Sequence, residues 1–311
     1  MNKNNSENNM GGFYLEKKLR DGNPDLLKRM NDSIAVLNNM LGKYTVRFPE
    51  YTDHSMFHSL DIIEYCNEII GDDQVGKLSP DECYVLMMAS YLHDIGMGIN
   101  NEDCLSFSKV LEKTVPGFIE DSHDEANKVR IYHHEYSALF IDKYSDLFDI
   151  PDESYKKAII QIARGHRKKN LFDNIEYSDI KVSNGIIRTA YLSAVLRLAD
   201  EIDVASSRNP ELLFKSIISE NENQEKIFGI HESIQVVEIS GDMIVLYSRP
   251  KSPEYIPMIW NLSQKIQDNL DYCRKVAEER SDLKIYQTKV VIKPERESCN
   301  NNQEGFSWFK V

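Results

Sequence analysis

The sequence predicts a mainly α-helical protein that ends in a small α+β unit, and two features carry this prediction. Up to about residue 215, apolar residues recur at the three- and four-residue spacing of helices with one buried face. After Pro210, the runs "ESIQVVEIS" and "DMIVLYS" are rich in β-branched residues, and Ser240-Gly241-Asp242 between them is typical of a hairpin turn. We therefore expect a helical bundle followed by a ββαβ unit.

The helical part contains five segments with clear patterns. One begins at Asn23-Pro24-Asp25 and runs to about Leu41, and the apolar run at residues 84–92 fits a buried helix. Asp121-Ser122 supplies N-cap chemistry for a long helix that ends before Pro151. The stretches "ESYKKAIIQIARGH" and "NGIIRTAYLSAVLRLADEID" are predicted as two further amphipathic helices.

The chain divides into four predicted regions. Residues 1–12 are polar and are predicted to be disordered, and residues 13–215 form the helical domain. Residues 220–294 form the α+β domain, in which a helical pattern from about Tyr255 separates the hairpin from the predicted third strand, "LKIYQTKVVIKP". Residues 295–311 are predicted as a polar tail.

Composition and charge exclude several classes of function. The 311 residues carry a net charge of −13, which argues against binding to polymeric nucleic acid but leaves room for a local basic pocket. The longest apolar run is far shorter than the roughly 20 residues of a membrane-spanning helix. The N-terminus lacks the apolar core of a signal peptide, so we expect a cytoplasmic protein without a membrane partner. The five cysteines lie far apart and fit reduced thiols.

Histidines concentrate on the predicted helices of the first domain. Six of the eight lie on these helices or at their ends: His54, His58, His93, His133, His134 and His166. Asp94 follows His93 directly, and Asp200 follows the apolar face of "AVLRLAD". Imidazole and carboxylate together suit a divalent metal with positions open for water and substrate. Residues this far apart converge only if several helices pack around one point.

The order of His58, His93-Asp94 and Asp200 resembles the signature of the HD-domain superfamily of metal-dependent phosphohydrolases. "YLHDIGM" and "LRLADEID" are similar to the sequence motifs that are typical of that family. His133 and His166 resemble the extra pair of the binuclear branch, which includes cyclic-dinucleotide phosphodiesterases. The resemblance covers roughly residues 45–210 and implies an HD-domain helical bundle.

The resemblance also implies a two-metal site. Asp94 would bridge two ions and be central to catalysis. The remaining ligands would be His58, His93 and Asp200 at one ion, and His133 and His166 at the other. A metal-bound hydroxide would attack phosphorus. These ligands favour manganese or iron, and zinc stays open.

Two positions leave alternatives. We prefer His58 to His54, because the family's first ligand is followed closely by an apolar stretch such as "SLDII". His54, one turn earlier, is a candidate catalytic residue that contacts substrate, with a capping or surface role as an equal alternative. We prefer His133 to His134, because the family's ligand stands four residues before a small residue, here Ser137, and core-spaced residues follow it.

A basic cluster flanks His166, and we expect it to bind a substrate phosphate. It comprises Arg164, Arg167, Lys168 and Lys169. Four cations beside a predicted ligand in an acidic protein suit an anionic substrate. The alternative is a solvated helix end, where positive charge favours the C-terminal dipole. Arg208, just past Asp200, is a weaker candidate of the same kind.

The sequence therefore favours a metal-dependent phosphohydrolase or phosphodiesterase acting on a nucleotide or cyclic (di)nucleotide. Two alternatives stay open, namely a di-iron oxygenase with the same ligands and a nucleotide-binding regulatory module that signals through the C-terminal domain. The expected partner is a small phosphorylated or nucleotide substrate of unknown identity. The C-terminal domain is also a candidate surface for homodimerisation.

Overall fold

The computed structural model describes residues 14–41, 43, 48, 55–118, 124–183, 185–205 and 229–295. Its α-helices are α1 (Tyr14–Gly22), α2 (Pro24–Leu41), α3 (Met56–Ile70), α4 (Asp72–Val75), α5 (Pro80–Leu92), α6 (Asn101–Thr114), α7 (Glu125–Tyr144), α8 (Glu153–Gly165), α9 (Thr189–Ile202) and α10 (Tyr255–Arg280). Its strands are β1 (Ile180–Val182), β2 (Gly185–Ile187), β3 (Ile234–Ser240), β4 (Met243–Ser248) and β5 (Lys289–Pro294). The prediction of a mainly α-helical protein is confirmed.

Helix α5 is the central helix of the bundle. All of its residues from Asp81 to Leu92 are buried, which explains why this segment is apolar around its whole circumference. The helix begins with a capping box, in which Ser79 and Glu82 each accept a hydrogen bond from the other's backbone N–H. Helices α1, α2, α3 and α8 pack around it. Its C-terminal end, with His93 and Asp94, therefore lies inside the bundle.

Helix α7 is kinked in the middle. The helix begins at Glu125, and its N-cap is Asp124, whose carboxylate accepts from two backbone N–H groups. The predicted cap, Asp121-Ser122, lies outside the described residues. At Tyr132 the backbone leaves helical geometry (φ −111°, ψ 16°). This break directly precedes His133, so it changes the direction in which the following residues face.

The prediction of one continuous helix from "NGII" to Asp203 was wrong at its start. Residues Gly185–Ile187 form β2, which pairs antiparallel with β1, and helix α9 begins only at Thr189. Two successive β-branched residues favour an extended backbone, and the facing strand supplies their hydrogen-bond partners. Arg188 holds the junction, because its guanidinium forms hydrogen bonds with both carboxylate oxygens of Glu82.

The C-terminal sheet has the order β3–β4–β5. Strands β3 and β4 are antiparallel and are joined by a turn at Gly241, whose φ of +62° favours glycine. Strand β5 runs parallel to β4 after the crossover helix α10. Helix α10 packs on both β5 and α9, so its buried face belongs to the same core as the bundle. Whether residues 13–215 and 220–294 form separate domains stays a prediction.

None of the helices that the structure describes is both long and apolar enough to cross a membrane.

Candidate metal centre

Five helices bring six side chains with metal-binding atoms to one point in the bundle. His58 lies in the first turn of α3, and His93 and Asp94 follow α5. The other three lie at the kink of α7, after α8 and in the last turn of α9, and they are His133, His166 and Asp200. The six form two groups, whose ligand atoms lie within 4.8 Å of one another in each group: His58, His93 and Asp200 in the first, and Asp94, His133 and His166 in the second.

The carboxylate of Asp94 lies between the two groups. Its Oδ2 is 3.3 Å from Nε2 of His93 and 3.6 Å from Nε2 of His58. Its Oδ1 is 3.3 Å from Nε2 of His133 and 3.8 Å from Nε2 of His166. Each oxygen thus faces a different group. A carboxylate in this position is able to contribute one oxygen to each of two ions.

All four imidazoles present Nε2 to the centre, because Nδ1 of each is engaged on the other side. Nδ1 of His58 contacts Asp203, and the other three contact backbone carbonyls of Ser90, Arg130 and Ala163. An imidazole that donates from Nδ1 in its neutral form carries a lone pair on Nε2.

Two pairs of these Nε2 atoms lie close together, His133 with His166 at 2.9 Å and His58 with His93 at 3.3 Å. Two lone pairs at these distances repel each other unless a proton or a metal cation lies between them. The donors therefore fit a divalent metal, with outer hydrogen bonds that orient each ligand.

Among the histidines of the two groups, His93 has a raised pKa whereas His133 and His166 have lowered pKa values, so positive charge is concentrated on His93. Burial by itself would lower the pKa of His93, but the carboxylates of Asp94 and Asp200 raise it to about 10. Burial lowers the pKa of His133 to about 4, and burial together with His93 and His133 places the pKa of His166 well below its usual range. Bound metal ions would supply the cationic partner that the two carboxylates otherwise obtain from His93.

Gly96 allows the turn after Asp94 to approach α7 closely. A Cβ at this position would lie 2.5 Å from the carbonyl oxygen of His133 and 2.6 Å from the backbone nitrogen of Ser137. The hydroxyl of Ser137 accepts from the Gly96 N–H at 2.9 Å and donates to the carbonyl of His93 at 2.6 Å. This contact fixes the position of His133 relative to Asp94, because both flank the same backbone junction.

Gly165 has the same function between α8 and α9. A Cβ there would lie 2.5 Å from Cβ of Ser193 on α9. The close approach brings the end of α8, and with it His166, against the helix that carries Asp200.

Asp203 is a residue of the centre that sequence reasoning missed. Its Oδ2 lies 2.6 Å from Nδ1 of His58, and both side chains are buried. The contact forms a carboxylate–histidine pair of the kind that orients metal-binding imidazoles. The signal was present in "LADEID", where Asp203 follows Asp200 by three residues and therefore lies on a neighbouring helix face.

Three other candidates have different outcomes. His134 is buried beside His133 and belongs to neither group, and its Nδ1 has no hydrogen-bond partner among the described residues. His54 and Arg208 lie outside the residues that the structure describes, so their predicted roles stay predictions.

The basic cluster splits into members with different environments. Arg164 forms ion pairs with Glu135 and Glu176, at 2.9 and 3.1 Å. Lys169 contacts the same two carboxylates, at 2.9 and 3.6 Å. Glu135 is buried, and its pKa is held below the usual range by these two cations despite the opposing effect of burial. The charges of Arg164 and Lys169 are thus compensated within the protein.

Arg167 and Lys168 have no ion pair within the described part of the chain. Lys168 is exposed, whereas Arg167 is partly buried and close enough to His133 to help lower its pKa. Arg167 is therefore the partly buried member of the cluster that lies near His133 without an ion pair among the described residues.

Comparison with known proteins identifies the family of the chain. Neither curated proteins nor solved structures gave a match. The HD-CE family model matches residues 48–280, a range that contains all six residues of the two groups and extends to the end of α10. An HD-type domain with buried histidines and aspartates that could hold a metal ion agrees with the resemblance seen in the sequence. The match covers well over half of the chain, and the chain therefore belongs to the HD-CE family.

Proposed function

We propose that this chain is a metal-dependent phosphohydrolase that cleaves a phosphoester bond in a nucleotide or cyclic (di)nucleotide at a binuclear centre. The observation that carries the proposal is the carboxylate of Asp94, whose two oxygens face two separate groups of ligands. A site for one ion would not require His133 and His166 as additional ligands. Membership of an HD-type family supports the same reaction class.

The two groups would hold the two ions. His58, His93 and Asp200 would bind one, His133 and His166 the other, and Asp94 both. When bound, divalent ions at such a site supply a water molecule acidified for attack on phosphorus and positive charge near the phosphate oxygens. The protein's own contribution is orientation, since Asp203 and three backbone carbonyls hold the imidazoles with Nε2 towards the centre. Histidine and carboxylate donors suit manganese or iron.

Arg167 would bind the phosphate group of the substrate. It is partly buried, lies beside the second group and has no ion pair in the described part of the chain. A guanidinium is able to donate two parallel hydrogen bonds to phosphate oxygens. Arg164 and Lys169 are paired with glutamates, so we assign them the role of fixing the end of α8 and the residues that follow it. Substrate binding by Lys168, Arg208 and His54 stays a prediction.

Turnover of a substrate panel tests the proposal. The full chain, loaded with Mn²⁺ or Fe²⁺, is incubated with nucleoside mono-, di- and triphosphates and with cyclic mono- and dinucleotides, in air and under anaerobic conditions. We expect release of phosphate or of a nucleoside monophosphate in both atmospheres, with Mn²⁺ sufficient for activity. The Asp94→Ala variant is the control for a contaminating hydrolase.

Two results would contradict this function. Activity that requires iron and dioxygen, with no phosphate released anaerobically, would identify an oxygenase. Binding of a nucleotide without turnover by the metal-loaded protein would identify a regulatory module. A cytoplasmic location and homodimerisation through the C-terminal domain stay predictions.

A further inference from the structure

The loop that carries His166 needs support from outside its own segment. Residues 166–171, which we call the His166 loop, follow α8 and lie outside helix and strand. Carbonyl groups at a helix C-terminus have no partners within the helix. The loop nevertheless has to hold His166 at the second ligand group and Arg167 beside it.

Arg197 on α9 binds the backbone of this loop. Its side chain is buried, with 7% of its surface exposed. Nε donates to the carbonyl of Gly165 at 2.8 Å, and one terminal nitrogen donates to the carbonyls of Lys169, at 2.8 Å, and Arg167. No carboxylate in the described part of the chain forms an ion pair with this guanidinium. Its positive charge therefore interacts with the carbonyl groups at the negative C-terminal end of α8 and in the loop that follows.

Tyr272 on α10 supports Arg197 and the loop together. The Arg197 guanidinium carbon lies 5.0 Å from the centre of the Tyr272 ring, a cation–π contact. The phenol oxygen of Tyr272 accepts from the Leu171 N–H at 2.8 Å. One side chain of the C-terminal helix therefore contacts both the loop and the arginine that binds it.

Helix α10 also contacts the end of the loop and the chain that follows it. Arg280 donates to the carbonyls of Leu171 and Tyr177, at 3.0 and 2.8 Å. Phe172 packs edge-on against the Tyr272 ring, with 5.5 Å between the centres. Helix α10 thus contacts the segment that follows the second ligand group through Tyr272 and Arg280.

We propose that Tyr272 and Arg197 are positioning residues for the second ligand group, through which the C-terminal helix sets the metal affinity of Asp94, His133 and His166. The inference rests on the binuclear centre of the proposed function. Tyr272 does not reach the centre itself. It acts by keeping Arg197 in place on the three carbonyls, which fixes where His166 presents Nε2. Loss of residues that orient metal ligands typically weakens metal binding by about 10- to 100-fold.

Calorimetric titration of the metal-free full chain with Mn²⁺ tests this proposal. Two Mn²⁺-binding steps are expected, one of which His166→Ala removes. The Tyr272→Leu variant should lower the Mn²⁺ affinity of that step by about 10-fold or more and leave the affinity of the other step unchanged. Tyr272→Phe keeps the ring under Arg197 and loses only the hydroxyl's hydrogen bonds, one from the Leu171 N–H and one to the carbonyl of Lys169, so its effect should be smaller. Tyr286→Leu is the matched control, because it removes a tyrosine whose hydroxyl bonds to Asp73, away from the loop. It should leave both steps unchanged.

Amide hydrogen exchange in the same variants provides a second measurement. Exchange at residues 166–171 should accelerate in Tyr272→Leu and not in Tyr286→Leu. The proposal would be overturned if Tyr272→Leu left the metal-binding step that His166→Ala removes unchanged, or if it weakened both metal-binding steps equally. Unchanged amide exchange at residues 166–171 would also overturn it. Neither measurement depends on turnover. A chain that binds two ions and hydrolyses nothing would refute the proposed function and leave this inference standing, whereas one ion at most in the wild type would refute the binuclear centre on which both rest.

Discussion

Nδ1 of His58 lies 2.6 Å from Oδ2 of Asp203, on the side of the imidazole that faces away from the ligand group. Both residues are buried. The carboxylate fixes the ring in the orientation that presents Nε2 to His93 and Asp200. The first ligand group thus depends on a side chain that is not itself a ligand.

The Asp203→Asn variant should weaken metal binding at the first group by about 10- to 100-fold, because a neutral amide holds the imidazole less firmly and makes it a poorer donor. Titration with Mn²⁺ measures this effect on the step that His58→Ala removes. Unchanged affinity at that step would show that backbone packing alone orients His58.

Two aspartates of the centre should differ in the number of ions that depend on them. Asp94 faces both groups, so Asp94→Ala should lose both ions and reduce turnover below a tenth of the wild type. Asp200 belongs to the first group alone, so Asp200→Ala should retain one ion. Elemental analysis after equilibration with Mn²⁺ distinguishes the two variants. Equal metal content in both would contradict the proposed bridging role of Asp94, and one ion at most in the wild type would exclude a binuclear centre.

The Gly96→Ala variant should disturb the centre without removing any ligand. Its Cβ would lie 2.5 Å from the carbonyl oxygen of His133, so the junction between the turn and α7 must shift. We expect a loss of about 1–3 kcal/mol in the free energy of unfolding and weaker binding of the second ion. Chemical denaturation and Mn²⁺ titration measure these effects.

Gly76→Ala is the matched control for this variant, because a Cβ at Gly76 meets no atom within 4 Å and the backbone there is already helical. If Gly96→Ala has the same free energy of unfolding and the same Mn²⁺ affinity as this control, the contact between the turn after Asp94 and α7 accommodates the added Cβ without loss of stability.

Replacement of Arg167 by Ala should raise the KM for a phosphorylated substrate by roughly 10- to 100-fold, the equivalent of one hydrogen bond between charged groups. Metal content should not change, because Arg167 is in neither ligand group. Lys181→Ala is the control, because Lys181 is an exposed lysine of β1 that belongs neither to the basic cluster nor to a ligand group. Steady-state kinetics on a substrate from the panel separates the two. Equal KM values would contradict a role of Arg167 in substrate binding.

Residues that are close in sequence could be interpreted without the structure. The mainly α-helical class follows from apolar spacing, and the "HD" doublet at the end of an apolar helix indicated a buried centre. Helical periodicity also placed the residues after His133, rather than those after His134, on the side that faces the core, which was a reason to prefer His133 as a ligand. In the structure His133 lies in the second ligand group. In each case the informative interaction lies within one or two helical turns, where residue spacing determines direction.

Contacts between distant segments could not be inferred in this way. The sequence shows four cations within residues 164–169, at the end of α8. Only packing against α7 and the residues before β1 brings Glu135 and Glu176 to Arg164 and Lys169. The strand pairing of Gly185–Ile187 likewise depends on a partner strand, which local helical periodicity does not reveal.

The sequence by itself determined the helical class, the identity of the six side chains and their order along the chain. Only the tertiary structure decided that Asp94 lies between two groups, that Asp203 orients His58 and that α10 supports the loop of His166. The physical reason is that ligand identity is a property of single residues and their immediate neighbours. The packing of five helices sets the distances between the ligands and decides which charged side chains form ion pairs.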